Sequence, residues 1–404
     1  MPPSSPELLA PAGDATCLQA ALDAGADAVY LGLDRLHMRR AAARNFTLQD
    51  LPGVSRLCQD RGARLYLALN SIVYEPELPA ATELVAAAAP HVDAVIAADW
   101  AVMDACIERG VPFHVSTQMS VSNSAAARRL HGLGARRIVL ARECTLAEIA
   151  AIRAAVPGLQ LEAFVHGAMC VSVSGRCLLS HEAYGLSGNR GECRQPCRRE
   201  YEIRELDGEN AAFVVGRGYV LSPRDLCSLP FLDELVAAGI GACKIEGRSR
   251  NAEYVHTVVG AYRAALDALA AGALDAARKQ ELVERCRKVF HRGFSVGHYF
   301  GRPASGDFTD GDGNAATCRK EFVGRVRHYY PAAGAVDIEV QDAPVAAGDT
   351  LMIQGVTSGV VTLVAQHLRR DAATPVRVES GWFTVACPSR VRQGDRVYRL
   401  TPRA

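Results

Sequence analysis

The chain of 404 residues is 49% hydrophobic and 22% charged, with a formal net charge of +1. That length and apolar content suffice for more than one core, and the near-neutral balance excludes a uniformly basic nucleic-acid coat while leaving room for a local basic patch. The opening stretch MPPSSPELLAPAGD lacks the basic and apolar segments of a leader, and the longer apolar runs are cut by Asp, His or Arg. These features predict neither export nor a membrane span, and hence a cytoplasmic location.

Over the first 250 residues, short apolar runs alternate with polar turns and Ala- and Leu-rich stretches. Eight runs read as strands: 7–13, 28–33, 64–70, 94–99, 113–118, 137–143, 161–167 and 242–247. Helical spacing of apolar residues predicts helices at 16–24, 124–132 and 146–155, and the last strand is followed by NAEYVHTVVGAYRAALDALAAG, a long amphipathic helix. Alternating βα units imply a parallel sheet, and eight of them predict a (β/α)8 barrel over residues 1–300. Between strands seven and eight the chain is far longer than a crossover needs, which marks a cysteine-rich insertion at about 168–222 with a hairpin in its second half. Residues 301–318 are rich in Gly, Asp and Pro and read as a linker. Beyond it, short alternating runs with Gly-containing turns predict a small all-β barrel domain over 319–404.

Thirteen cysteines in a chain predicted to be cytoplasmic are thiols, ligands or catalysts rather than a disulfide framework. For Cys17, Cys58, Cys106, Cys144, Cys286, Cys318 and Cys387, each isolated, core packing is the ordinary reading. Cys170, Cys177, Cys193 and Cys197 differ, because they fall within 28 residues at C-x6-C-x15-C-x3-C spacing among Ser, Gly, Asn and Arg. Structural zinc prefers paired C-x2-4-C knuckles, and only Cys193 and Cys197 approximate one. An iron-sulfur cluster accepts the irregular spacing, because a loop wraps around a larger object.

Several runs then resemble one family, the bacterial peptidase family U32, also called collagenase-like proteases. They are ELLAPAG, GADAVYLG, the Arg-Asn-Phe-Thr run after Arg40, HVSTQ with Asn123, RIVLARE, HGAMCVSVSGRC, SPRDLC and KIEGRSRNAEYV, together spanning about residues 6–300. The resemblance implies a 4Fe-4S cluster on Cys170, Cys177, Cys193 and Cys197, and ring hydroxylation rather than proteolysis. The terminal β domain resembles that of the tRNA-modifying branch, which implies tRNA as substrate, 5-hydroxyuridine at the wobble position as product and prephenate as hydroxyl donor. Related branches hydroxylate a ribosomal RNA cytidine or serve oxygen-independent ubiquinone synthesis, and a homologous partner subunit is a further expectation. The peptidase name finds less support, since HEAYG lacks the second His of HExxH and no G-x-S-x-G elbow occurs.

Residues at or just beyond strand ends are the candidate site groups, because barrel chemistry is built at the C-terminal face. They are Arg40, Asn45, Asn70, Gln118 and Asn123 for substrate, and His166, Arg142, Arg176, Lys244, Glu246 and Arg248 for catalysis or binding of a dianion. Alternation puts Lys244 and Glu246 on one face, where they would pair, leaving Arg248 with Arg142 opposite for a carboxylate. Core packing is the competing reading for His166, and a solvated face for the arginines. The resemblance to the ubiquinone branch implies Cys227 or Cys243 as an alternative fourth ligand, with core packing again the simpler account.

Overall fold

The computed structural model describes residues 5–41, 43–204, 214–311 and 313–403. Strands β1 (Glu7–Pro11), β2 (Ala28–Leu31), β3 (Arg64–Leu69), β4 (Ala94–Ala97), β5 (Phe113–Val115), β6 (Arg137–Val139) and β7 (Gln160–Gly167) pair in parallel in chain order. The insertion carries the hairpin β8 (Tyr201–Arg204) and β9 (Val214–Gly218), followed by β10 (Asp225–Cys227). The eighth barrel strand, β11 (Ala242–Ile245), pairs with β1 on one side and β7 on the other, so the sheet closes. Helices fill the connections, and local chemistry sets their starts. Asp14 accepts from the Cys17 amide at 2.8 Å to begin helix Ala15–Asp23, and Thr145 and Glu148 form a capping box at helix Leu146–Ala155.

Alternation along the strands sorts side chains into two shells. Leu8, Val29, Leu31, Leu65, Leu67, Val95, Ile138, Leu161, Cys243 and Ile245 join the main core between strands and helices. Leu9, Ala28, Tyr30, Tyr66, Ala94 and Ile96 form a separate cluster of inward-facing residues. Toward the N-terminal end the barrel is filled by charge instead of aliphatic layers: Arg137 contacts Glu7 at 2.6 Å and Glu162 at 3.1 Å, and Glu162 contacts Lys244 at 2.7 Å.

One irregularity redirects a candidate residue. Phe164 faces Lys244 in the β7–β11 register, but the next pair is His166 with Ile245, so β7 holds an extra residue there. The bulge turns His166 out of the barrel, into a cage of Tyr254, Tyr262 and Phe294 rings at 6.1, 5.5 and 5.4 Å.

β10 runs antiparallel to the end of β7, and β12 (Phe294–Ser295) joins it. The stretch read as a linker is held to this edge, with Arg224 and Thr309 amides donating to the carbonyls of Asp307 and Ser222. The C-terminal strands are β13 (Cys318–Tyr330), β14 (Ala335–Val340), β15 (Val345–Ala346), β16 (Thr350–Gly355), β17 (Gly359–Val364), β18 (Arg377–Val378), β19 (Gly381–Ala386) and β20 (Arg396–Pro402). Six of them form an antiparallel sheet in the order β17-β16-β20-β13-β14-β19 around a core that includes Val323, Ile338, Ile353 and Phe383. This region also packs on the barrel. Met352 and Val360 belong to the barrel's own core cluster, and Lys320 pairs with Glu253 at 3.1 Å. Among the described residues no helix is long and apolar enough to cross a membrane.

Candidate functional site

A cavity opens at the C-terminal mouth of the barrel, and Cys170, Cys177, Cys193 and Cys197 all line it. The loop that carries them is fixed at several points. Glu143 accepts from the Ser174 amide and hydroxyl, both at 2.7 Å, and Asn189 bonds both backbone groups of Cys177. Arg190 makes a two-pronged pair with Glu77 at 2.6 Å on each side, and Arg198 donates to the carbonyls of Met169 and Pro223. Gly191, at φ +85°, lies against the His37 carbonyl where a Cβ has no room, which lets this loop close on the one after β2.

The thiols are half-buried and carry donors aimed at sulfur. The Leu179 amide lies 3.3 Å from the Cys177 Sγ and the Gln195 amide 3.4 Å from the Cys193 Sγ. Burial pushes the Cys197 thiol up to about 11, Arg198 opposes this, and Cys170, Cys193 and Cys177 add to the rise. All three other cysteines act electrostatically on Cys197, so the four thiols share one wall of this cavity. Among the described residues no three His, Cys, Asp or Glu side chains are gathered tightly enough for a single ion. Cys227 and Cys243 lie elsewhere, buried between strands and helices with thiols pushed up to about 11 and about 12 by burial.

Below the cysteines the wall is cationic. Arg39, Arg142, Arg198, Lys244 and Arg248 line the cavity with one carboxylate, Glu246. The expected Lys244–Glu246 pair does not form. Lys244 reaches down to Glu162, while Glu246 is held by Arg39 at 3.3 Å and Arg142 at 3.7 Å. Burial pushes the Glu246 carboxyl up, but Arg39, Arg142, Arg248 and Lys244 together outweigh it and leave it below its ordinary value. Arg142 lies in the loop after the shorter β6, stacks on Phe164 at 3.8 Å and donates to the Ala168 carbonyl. It is therefore engaged rather than opposite Arg248 as an open ligand.

The other candidates divide. Asn70 lines the cavity and bonds the Met38 amide and Ser116 hydroxyl, and Gln118 lines it as well. Asn123 is exposed and caps helix Ser124–Gly132 through the Ala126 amide, a local role that fits its side chain. Asn45 holds its own loop by donating to the carbonyls of Arg40 and Ala43. Arg40 pairs with Glu192 near the surface, and Arg176 is exposed with its Nε donating to the Gln118 carbonyl. His166 is outside the cavity, and burial lowers it to about 3. Sequence reasoning missed Arg39, Arg198 and His37. Arg39 sits beside the chosen Arg40, and only the turn of that loop decides which of two adjacent arginines faces inward.

The fold and site define a (β/α)8 barrel with a four-cysteine, cation-lined cavity at the C-terminal ends of its strands. The chain belongs to peptidase family U32, whose family model matches residues 13–308. It is similar to a collagenase of Porphyromonas gingivalis, at 34% identity with 98% of each chain covered. It is also similar to the tRNA hydroxylation protein P1 of Bacillus subtilis, at 34% identity over 80% of this chain and 78% of that one. A third relative is the 23S rRNA 5-hydroxycytidine C2501 synthase of Escherichia coli, at 35% identity over 74% of this chain and 46% of the other.

Proposed function

We propose that this protein is a cytoplasmic RNA-modifying enzyme that hydroxylates the wobble uridine of tRNA to 5-hydroxyuridine, with prephenate as hydroxyl donor. The observation that carries the reading is the union of four thiols and five buried or half-buried cations around one cavity, in a chain related to two proteins named for RNA hydroxylation. Cys170, Cys177, Cys193 and Cys197 would hold a 4Fe-4S cluster as thiolates, with the Leu179 and Gln195 amides bonding sulfur, a contact that tunes such centres. The cluster would supply electron-transfer or structural chemistry. The chain's own residues bind and orient: the cations neutralise an anionic donor, Tyr30 and Phe164 offer it an aromatic wall, and Asn70 and Gln118 offer amides to a polar ring.

Two measurements test this. Protein purified without oxygen should be brown, with about four irons and four sulfides per chain, and Cys170→Ala should abolish the colour. Mass spectrometry of tRNA nucleosides should show loss of 5-hydroxyuridine derivatives when the gene is deleted, restored by the wild-type gene and not by Cys170→Ala. Unchanged tRNA with lost hydroxycytidine would transfer the reading to ribosomal RNA, and a quinone defect to ring hydroxylation in ubiquinone synthesis. The full-length likeness to a protein named collagenase favours a peptidase as second reading. Gelatin cleavage abolished by Cys170→Ala would establish it. Among the described residues no Ser, Thr or Cys side chain is hydrogen-bonded to a histidine, the pairing that activates a nucleophile.

A further inference from the structure

Of the cations that line the cavity, four are engaged by protein groups. Arg39 and Arg142 hold Glu246, Lys244 holds Glu162, and Arg198 is spread over Met169, Ser222 and Pro223. Arg248 differs. It is 5% exposed, and its Nε is a buried donor with no partner among the described residues. Its Nη1 lies 3.0 Å from His37 Nδ1.

His37 is fully buried, and its bonds determine its tautomer. Nε2 donates to the Leu33 carbonyl at 2.5 Å, while Nδ1 receives the Arg39 amide at 3.2 Å and the guanidinium. The ring is therefore neutral, with Nδ1 as acceptor. The pair needs Gly32 beneath it, because a Cβ there would lie 2.6 Å from both the Arg248 Nη1 and the His37 ring. Packing and His37 thus fix the plane of the guanidinium and occupy one N–H of its Nη1. The Nε–Nη2 edge remains. Two parallel N–H groups on that edge match the two oxygens of a carboxylate.

We propose that Arg248 is the carboxylate-binding residue of this cavity and that His37 is the positioning residue that presents its Nε–Nη2 edge. The ligand is a small carboxylic acid with an unsaturated or aromatic body, since Tyr30 and Phe164 line the same cavity. A small molecule fits better than an RNA phosphate, because a guanidinium this buried at the cavity wall is out of reach of a backbone that stays at the rim. The inference deepens the hydroxylation reading by assigning where its acidic donor is held, and it rests on that reading for the reaction.

The test uses full-length protein prepared without oxygen and two probes of one shape, 3-phenylpropanoate and 3-phenylpropanamide, titrated by ligand-detected NMR. Wild type should bind the carboxylate roughly 10- to 100-fold more tightly than the amide, as a buried charge-assisted pair requires. Arg248→Lys and His37→Leu should lose most of that ratio, and His37→Asn, which keeps an acceptor near Nδ1, should retain part of it. If His37→Leu does not fold, Arg248→Lys and His37→Asn carry the test. Equal affinity for the two probes in wild type, or an unchanged ratio in Arg248→Lys, overturns the proposal. A reduced salt slope of tRNA binding in Arg248→Met, with the probe ratio intact, would assign the arginine to RNA phosphate and overturn it too. Probe discrimination with unaltered nucleosides in the deletion strain would keep this site and retire the hydroxylation reading. The reverse result would retire only this site.

Discussion

Replacing Glu162 with Gln should expose how the barrel floor holds its charge. Glu162 is fully buried, 2.7 Å from Lys244 and 3.1 Å from Arg137. Arg137 retains Glu7 at 2.6 Å and Gln160 at 2.9 Å after the change, whereas Glu162 is the carboxylate that Lys244 contacts. The variant therefore leaves one buried ammonium without a counter-charge, a loss of about 3–5 kcal/mol. Across a domain this large that is a fall on the order of 10 °C in melting temperature. Burial already lowers Lys244, with Glu162 opposing, so in the variant its pKa falls further. The unfolded chain then binds more protons than the folded one, and stability of the variant should rise with pH. Anaerobic melts by circular dichroism between pH 6 and 9 measure both effects. Glu162→Gln/Lys244→Met should recover most of the loss, since no unpaired charge remains. A single-variant cost below about 1 kcal/mol, or a double variant no better than the single, would refute the reasoning.

His114 and His166 are each lowered to about 3, chiefly by burial, so unfolded chains take up protons that the folded state refuses as pH falls below about 6.5. Stability should drop by up to about 1.4 kcal/mol per pH unit for each of them between pH 6 and 4, and a flat urea midpoint over that range would contradict their burial. His166→Phe should fold and leave the proposed tRNA modification intact, because the ring sits among Tyr254, Tyr262 and Phe294 and not in the cavity. Asn123→Ala should cost about 1 kcal/mol in denaturant titration and leave RNA modification intact, as the loss of a helix cap predicts. Truncation after residue 318 should lower the barrel's melting temperature, since it uncovers core contacts of Met352 and Val360 and removes the Lys320–Glu253 pair.

The barrel was legible because each strand announces itself locally, by an apolar run and the turn that ends it. Strand ends were read too long, as at β6, where RIVLARE continues apolar after pairing stops at Val139. The cysteine loop was legible by count and spacing, and its position after the seventh strand placed it at the mouth. The charged residues were legible only as candidates. Alternation put Lys244 and Glu246 on one face, yet Lys244 pairs with a residue 82 positions away and Arg248 with one 211 positions away. For His166 the structure takes the core-packing reading, because a one-residue bulge reverses the face of the strand, and nothing in VHG signals it.

From the sequence alone, then, came the strand order, the insertion and the four thiols, because periodicity and spacing are properties of neighbours along the chain. Only the closed barrel decided that Glu246 goes to Arg39 and Arg142, that Glu162 takes Lys244, and that His37 occupies one end of Arg248. A buried charge takes the partner that ring closure brings within about 3 Å, and attraction between charges so close in a dry interior outweighs any preference written in the local sequence.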